Sequence, residues 1–156
     1  MLNESQLAVL KADIMADPAL VAYAAAGAQN AIQNAYNTDA FPAFTVWRPD
    51  VRPDALTAIF VWTEIDVLAN GKARIWEWMR LLSVLDCRNA NIRQGLSDAF
   101  SAATNTKAAA LTFIKRNALR GERLFATGNG SDASPGLLVV VGNLTDSDVD
   151  KALRLP

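Results

Sequence analysis

Two opposed stripes of side chains run along the segment 107–125, KAAALTFIKRNALRGERLF. One stripe is apolar and recurs at helical spacing within roughly 80° of arc; its residues are Leu111, Ile114, Ala118, Gly121 and Phe125. Arg116, Arg120 and Arg123 fall on the opposite side and form the arginine stripe. The spacing therefore predicts one long helix with a core face and a solvent-facing row of cations.

Apolar residues at helical spacing recur along most of the chain, which predicts a mainly α protein. The predicted helices lie near 4–16, 18–36, 72–86, 91–102, 107–125 and 146–153. The helical segment 18–36 is expected to break at Gly27, and a shorter helix is expected from Pro53 to about Trp62. The helix at 72–86 has a broad predicted core face; its residues are Ile75, Trp78, Met79, Leu82 and Leu85, with Trp76 at the edge.

Two segments favour extended backbone. Several prolines between 42 and 53 exclude a long helix there, and aromatic and β-branched residues at 44–48 predict a short strand. The run Leu137–Val141 is the only β-branched run of the chain and lies between Gly136 and Gly142, so a second strand is predicted. We therefore expect a short β element, a strand or hairpin.

The segment after Phe125, ATGNGSDASPG, combines three glycines, one proline and small polar residues. This composition opposes regular structure, and nothing in it offers apolar anchorage. No strand precedes it and no GK[ST] follows it, so it does not match a phosphate-binding loop. We predict an extended glycine-rich arm over 127–136, mobile in the free subunit and ordered in an assembly.

A chain of 156 residues has the length of one domain. We predict a single-domain helical bundle over 1–156, with a helical core at 1–126, the arm and β element at 127–144, and a C-terminal helix at 145–156. The longest apolar runs fall short of the roughly 20 residues that a bilayer span requires, so no membrane contact is expected. The start of the chain lacks a secretory pattern, which predicts synthesis in the cytoplasm.

The residue types available argue against catalysis. Histidine is absent, which removes the commonest general base near neutral pH and the commonest transition-metal ligand. The single cysteine, Cys87, has no histidine partner and is expected to be a buried, inert thiol. Asp146, Asp148 and Asp150 alternate as at the start of a calcium loop, but the required glycine and distal glutamate are missing, so we interpret them as helix-start residues. We predict no enzyme, no cofactor and no metal.

Charge is distributed unevenly along the chain. Residues 1–71 contain three basic and eight acidic side chains, a net charge of −5. Residues 72–123 contain ten basic and four acidic side chains, +6, and residues 124–156 contain two basic and four acidic side chains, −2. Such a chain can place its negative part against the positive part of a neighbouring copy, as a head-to-tail ring requires. Alternatively, the two patches face each other within one fold.

Several segments resemble a group of small proteins encoded among the virion genes of tailed bacteriophages. They are NIRQGLSDAFS (91–101), RNALRGERLFATGNGSDASPG (116–136) and LTDSDVDKA (144–152), together with AVLKADIMADPAL and VWRPDV (46–51). The matching residues are Asn91, Arg93, Phe100, Arg116, Ala118, Arg120, Glu122, Leu124, Phe125, Thr127, Gly128, Gly130, Ser131, Pro135 and Asp148. Residues 54–71 depart from the pattern, being apolar and helix-like where the group has a polar, glycine-containing turn.

The resemblance implies a virion component, and the opposed charges and the arm favour a ring subunit between portal and tail, a head-to-tail adaptor or neck protein. Its expected partners are further copies in a homo-oligomeric ring, the portal protein, and tail or neck proteins, with possible non-specific contact to packaged DNA. The predicted assembly surface comprises Arg116, Arg120, Arg123, Gly128, Gly130, Pro135, Leu137, Val139 and Val141. Replacing Arg116 and Arg120 by glutamate is expected to leave the monomer folded and to prevent assembly.

Other functions stay open at this point. A capsid cement protein or another tail component belongs to the same class, although a tube subunit would need more strand. From a different class, a cytoplasmic nucleic-acid-binding regulator could use the arginine stripe to neutralise about three backbone phosphates. An isoelectric point near 5.4 argues against that regulator. A hydrolase built on paired carboxylates is the weakest alternative, because the sequence offers no close pair.

Overall fold

The computed structural model describes all residues from Met1 to Pro156. The chain is mainly α-helical with one antiparallel sheet of two short strands, which confirms the predicted fold class. The helices are α1 (Glu4–Ala16), α2 (Pro18–Ala25), α3 (Gln29–Tyr36), α4 (Pro53–Thr57), α5 (Trp62–Ile65), α6 (Asn70–Arg80), α7 (Ala90–Ala99), α8 (Thr104–Phe113), α9 (Arg120–Phe125) and α10 (Asp146–Arg154). The strands are β1 (Thr45–Trp47) and β2 (Lys115–Asn117). No helix combines the length and the apolar character needed to cross a bilayer.

The chain forms two compact units. Unit 1 consists of Met1–Thr45 and Asn117–Pro156, and unit 2 consists of Val46–Arg116. The chain passes from unit 1 into unit 2 along β1 and returns along β2. That the whole chain acts as one domain stays a prediction.

The core of unit 1 gathers apolar side chains from α1, α2, α3, α10 and the segment before α10; they include Leu7, Leu10, Ile14, Leu20, Ile32, Tyr36, Leu144, Val149 and Ala152. Local sequence determines where its first helices begin. The Asn3 side chain accepts a hydrogen bond from the Gln6 N–H, and the Gln6 side chain accepts one from the Asn3 N–H, both at 2.9 Å. Asp17 caps α2 by accepting from the Ala19 N–H at 3.0 Å, and Pro18 occupies the first helical position.

The core of unit 2 is built around three aromatic rings. The centroid of the Phe60 ring lies 4.7 Å from that of Phe100 and 5.0 Å from that of Trp76, both in edge-to-face geometry. Aliphatic side chains and one thiol surround this cluster, among them Val51, Leu56, Met79, Leu85, Cys87, Leu96, Ala110 and Ile114. α7 lies against both α6 and α8, and all three helices contribute side chains to this core.

The single helix predicted over 107–125 is wrong, because β2 interrupts it between α8 and α9. In unit 1, the Ala118 N–H donates to the Phe44 carbonyl at 2.9 Å. In unit 2, the Arg48 N–H donates to the Ile114 carbonyl at 2.9 Å. These bonds reach residues far away in sequence and satisfy backbone groups that a continuous helix would have paired internally.

The apolar stripe of that segment nevertheless identified core positions, since Ile114 and Ala118 are fully buried. The arginine stripe does not exist as one helical face. Arg116 belongs to β2, whereas Arg120 and Arg123 belong to α9. The spacing therefore predicted the buried positions correctly, but it predicted the wrong secondary structure for them.

The strand predicted at Leu137–Val141 is also wrong. Leu137 forms an isolated antiparallel bridge with Thr127, and 138–141 lie outside any strand. Leu138 inserts into the buried interior, and Gly142 at φ 90° turns the chain after the run. β-branched residues favour a strand only when a neighbouring strand is available, and here the segment is held by side-chain burial instead.

Other predicted boundaries are confirmed or adjusted. The strand predicted at 44–48 is β1, and the break at Gly27, which has φ 68°, separates α2 from α3. The helix predicted near 72–86 begins and ends earlier, as α6. Its buried face is rotated from the predicted one: Trp76 is buried and Trp78 is exposed.

Candidate assembly surfaces

Arg120, a predicted interface residue, is engaged inside unit 1. Its Nη2 lies 3.0 Å from Asp17 Oδ2 and 3.4 Å from Asp13 Oδ2, and its Cζ lies 4.8 Å from the centroid of the Tyr36 ring. The Tyr36 hydroxyl donates to Asp13, and burial followed by this hydrogen bond raises the pKa of Tyr36. The hydrogen bond from Arg120 holds the pKa of Asp17 below its ordinary value. The expectation that Arg120 simply faces solvent is therefore wrong.

The other two arginines of the stripe also have partners within the chain. Arg123 donates from Nη1 to the Pro42 carbonyl at 3.0 Å, and its Cζ lies 5.9 Å from the centroid of the Phe44 ring. Arg116 takes part in an interaction as well. A role for these three residues at an assembly surface stays a prediction.

A cleft of about 760 Å³ opens beside Arg120 in unit 1. Its charged lining combines Asp13, Asp17 and Asp39 with Arg120 and Arg123. Two of the carboxylates already bind Arg120, so the charges of the cleft are largely satisfied by each other.

The glycine-rich loop 127–136 is attached to unit 1. The Thr45 N–H donates to the Gly130 carbonyl at 2.6 Å, and the Gly136 N–H donates to the Thr45 carbonyl at 2.8 Å. The Phe44 ring fills the space beside both glycines: an added Cβ would lie 2.2 Å from it at Gly130 and 2.6 Å at Gly136. The loop supplies no large apolar side chain of its own, and it is held by these hydrogen bonds to Thr45 and by the Phe44 ring, which lie outside it. Its mobility in the free subunit stays a prediction.

The other two predicted interface residues of the loop take part in its own packing. Gly128 adopts φ 94°, and a Cβ there would lie 3.3 Å from the Gly136 Cα. Pro135 is half-buried. The bridge between Thr127 and Leu137 closes the loop on either side of them.

Leu137, Val139 and Val141 form an exposed apolar surface of unit 1, which we call the 137–141 strip. Their side chains are 41%, 58% and 47% exposed, whereas the intervening Leu138 is buried. Val140 is partly buried, so exposed and covered side chains alternate along the run even though the backbone bends at 139 and 140. All three predicted interface residues of this run are therefore accessible.

The C-terminal end of α6 presents a second exposed apolar surface, in unit 2. Trp78, Leu81 and Leu82 are 63%, 82% and 44% exposed. Trp78 lies in the last turn of α6, and Leu81 and Leu82 follow the end of the helix at Arg80. We call these three residues the α6 patch. Sequence reasoning placed Trp78 and Leu82 in the core and missed this surface. The available signal was that α6 is apolar on two sides, with Trp76 and Met79 on the other.

Glu122 is fully buried and fixes the turns around α9. Its Oε2 accepts from the Leu119 N–H at 3.0 Å, at the start of the helix, and its Oε1 accepts from the Gly142 N–H at 2.9 Å. The sequence suggested a flanking acid beside an arginine stripe. The carboxylate instead connects α9 to the end of the 137–141 strip.

Cys87 is fully buried in unit 2, as expected. Burial, and then the neighbouring charge of Asp86, raises the pKa of its thiol to about 12. The thiol is therefore protonated at neutral pH. No group of three or more histidine, cysteine, aspartate or glutamate side chains is arranged to hold a metal ion.

Comparisons of this chain with protein-family models, with curated proteins and with solved structures found no match.

Proposed function

We propose that this chain is a structural virion protein of a tailed bacteriophage, a subunit of the head-to-tail connector ring that joins portal to tail. One observation carries the proposal: each unit exposes its own group of large apolar side chains, the 137–141 strip in unit 1 and the α6 patch in unit 2. Exposed apolar groups of this kind mark interaction surfaces in soluble proteins.

A cyclic assembly uses two different surfaces of each chain. In a ring, each copy offers one surface to the neighbour on one side and another surface to the neighbour on the other side. A protein that paired by a single twofold contact would need only one surface. The resemblance of 91–101, 116–136 and 144–152 to virion-module proteins supports the phage assignment. We therefore place the protein in the virion, with portal and neck or tail proteins as partners.

The structure weakens the alternative of a nucleic-acid-binding regulator. That function depended on three arginines on one helical face, and Arg120 and Arg123 are instead engaged by groups of unit 1. A capsid cement protein or another tail component would need apolar assembly surfaces just as a connector subunit does. It would differ from a connector subunit in its place in the virion. The proposed function is therefore tested best by finding where the protein binds.

Imaging with portal rings provides that test. Purified portal protein of the same phage is mixed with an excess of this protein and imaged in negative stain, with the same portal preparation alone as the control. We expect an additional ring of density on the portal, on the same axis. Intact portal rings that show no added density at saturating protein would contradict the connector role.

A further inference from the structure

We propose that Asn129 is a site of spontaneous deamidation, and that isoaspartate formed at this position loosens the loop 127–136 from Phe44 and Thr45. This inference goes beyond the connector role and does not depend on it. The reaction needs water and no enzyme, so the modified fraction increases with the age of the folded chain.

The chain contains two Asn–Gly pairs, at 70–71 and at 129–130. Deamidation is chemically easiest at an asparagine that precedes glycine, because the next peptide nitrogen can reach the side-chain carbon and glycine has no Cβ to obstruct it. Both pairs meet this requirement, so the sequence alone does not rank them. Their surroundings in the structure differ.

The Asn129 side chain is folded back towards the peptide that follows it. Its Oδ1 accepts a hydrogen bond from the Ser131 N–H at 3.0 Å, which closes an Asx turn. This turn encloses the Asn129 Cγ and the Gly130 nitrogen in one small hydrogen-bonded ring. The Gly130 N–H donates to no group of the chain, so no hydrogen bond has to break before its nitrogen reacts. Gly130 itself is buried, but Asn129 and Ser131 on either side are exposed to water.

The reaction begins when the Gly130 nitrogen gives its proton to hydroxide and its electron pair forms a bond to the Asn129 Cγ. Negative charge develops on Oδ1, where the Ser131 N–H already donates, and a donor in place before the reaction stabilises such a charge. The Cγ–Nδ2 bond then breaks, and Nδ2 takes a proton from water and leaves as ammonia. Hydroxide is regenerated, and a succinimide ring remains.

Water opens the succinimide ring in either of two ways. Addition at Cγ breaks the bond from Cγ to the Gly130 nitrogen and gives aspartate with the ordinary main chain. Addition at the main-chain carbonyl carbon breaks the bond from that carbon to the same nitrogen and gives isoaspartate. In isoaspartate the main chain passes through the former side chain and is one atom longer.

An additional main-chain atom at 129 acts where the loop is held. The Gly130 carbonyl accepts from the Thr45 N–H at 2.6 Å, and a Cβ added at Gly130 would lie 2.2 Å from the Phe44 ring. So close a fit leaves little room to displace Gly130 and keep both contacts. Isoaspartate therefore loosens the loop, whereas aspartate preserves the length of the main chain.

Asn70 is held in the first turn of α6. The Lys72 and Ala73 N–H groups both donate to the Ala69 carbonyl, at 2.8 and 3.1 Å. The Gly71 nitrogen reaches the side-chain carbon only when Asn70 leaves the helical conformation, because ring closure turns the peptide towards the side chain. Loss of these two hydrogen bonds slows the reaction about 10-fold.

Peptide mapping of aged protein tests the site. The folded protein is kept at pH 8 and digested at intervals, and mass spectrometry measures the conversion of amide to carboxylate at both Asn–Gly pairs in the same digest. A parallel sample is unfolded in guanidinium chloride. We expect Asn129 to react about 10-fold faster than Asn70 in the folded protein, and the two to react at similar rates in the unfolded chain.

Two results would overturn the assignment of the site. One is equal rates at Asn129 and Asn70 in the folded protein. The other is an Asn129 that stays intact in the folded protein while the unfolded chain is converted.

Hydrogen exchange tests the effect on the loop. Ion exchange separates the aged protein by its added charge, and methylation by an isoaspartate-specific methyltransferase identifies the isoaspartyl fraction. In this fraction we expect faster exchange of the Thr45 and Gly136 N–H groups, which form the hydrogen bonds between the loop and Thr45. Asn129→Asp is the matched control, because it adds the same charge with an unchanged main chain, and it should exchange like fresh protein. Isoaspartyl protein that exchanges like fresh protein, or like Asn129→Asp, would contradict the effect on the loop.

Discussion

Arg120 Nη2 lies 3.0 Å from Asp17 Oδ2, and this ion pair joins α9 to the start of α2, 103 residues earlier in the chain. The same guanidinium also contacts Asp13 and covers the Tyr36 ring. An arginine that the sequence suggested for assembly thus contributes to the fold of unit 1. Replacing it should therefore affect stability before it affects assembly.

We expect Arg120→Gln to lower the free energy of unfolding by about 1–2 kcal/mol, because it removes a partly buried ion pair and leaves two carboxylates without their cation. Urea unfolding at pH 7 measures the change. Arg154→Gln is the control, since Arg154 forms a more exposed pair with Asp150 and should cost about 0.5 kcal/mol or less. Equal effects of the two substitutions would show that the Arg120 pair is not structural.

Asp148 gives a pH-dependent prediction. Burial opposes its ionisation, but hydrogen bonds from the Thr145 hydroxyl and N–H outweigh burial and hold its pKa below the ordinary 3.8. The unfolded state therefore binds the proton more readily, so this contribution to stability is complete above pH 3.8 and is lost as pH falls through the folded-state pKa.

We expect Asp148→Asn to destabilise the protein by about 1 kcal/mol at pH 7, as loss of a helix cap does, and by progressively less below pH 3.8. Urea unfolding at several pH values measures this difference. Asp146→Asn is the control, because Asp146 is exposed in the same first turn. A cost for Asp148→Asn that does not change with pH would contradict the assigned role of the charge.

Gly130 should tolerate no side chain. Its φ of 66° strains any L-residue, and an added Cβ would lie 2.2 Å from the Phe44 ring. We expect Gly130→Ala to cost about 2–4 kcal/mol or to detach the loop, seen as faster amide exchange over 127–136. Gly27→Ala isolates the backbone strain, since Gly27 has φ 68° with nothing within 4 Å, and it should cost about 1 kcal/mol. Similar costs at both glycines would exclude the contact with Phe44.

The helical spacing of the sequence was sufficient to predict a mainly α fold and the buried positions Ile114 and Ala118. It could not show that β2 lies between them. The backbone of β2 is fixed by pairing with residues near β1, and such long-range pairing leaves no local periodic signal. A 3.6-residue period was therefore produced by two short helices and a strand.

The exposed apolar surfaces were also only partly predictable from the sequence. The strip at 137–141 was predicted as an interface, and its alternate residues are exposed, although the predicted strand does not form. The α6 patch was missed because apolar residues occur on two sides of that helix. Composition alone cannot tell which side faces the core; packing against α7 decides it.

Cys87 offers a simple check on the packing of unit 2. Its thiol is fully buried, and its pKa is raised to about 12 by burial first and then by Asp86. We expect no reaction with a thiol reagent at pH 8 in the native protein and complete reaction in urea. Rapid modification of the folded protein would contradict the packing around Leu85 and Cys87.

Quantitative mass spectrometry of purified tailed particles tests the central claim most directly. If the protein is a connector subunit, it is present in every particle preparation at a fixed ratio to the portal protein, and it stays with the particles through repeated gradient purification. Its presence in the infected cell but its absence from purified particles would contradict a structural role in the virion.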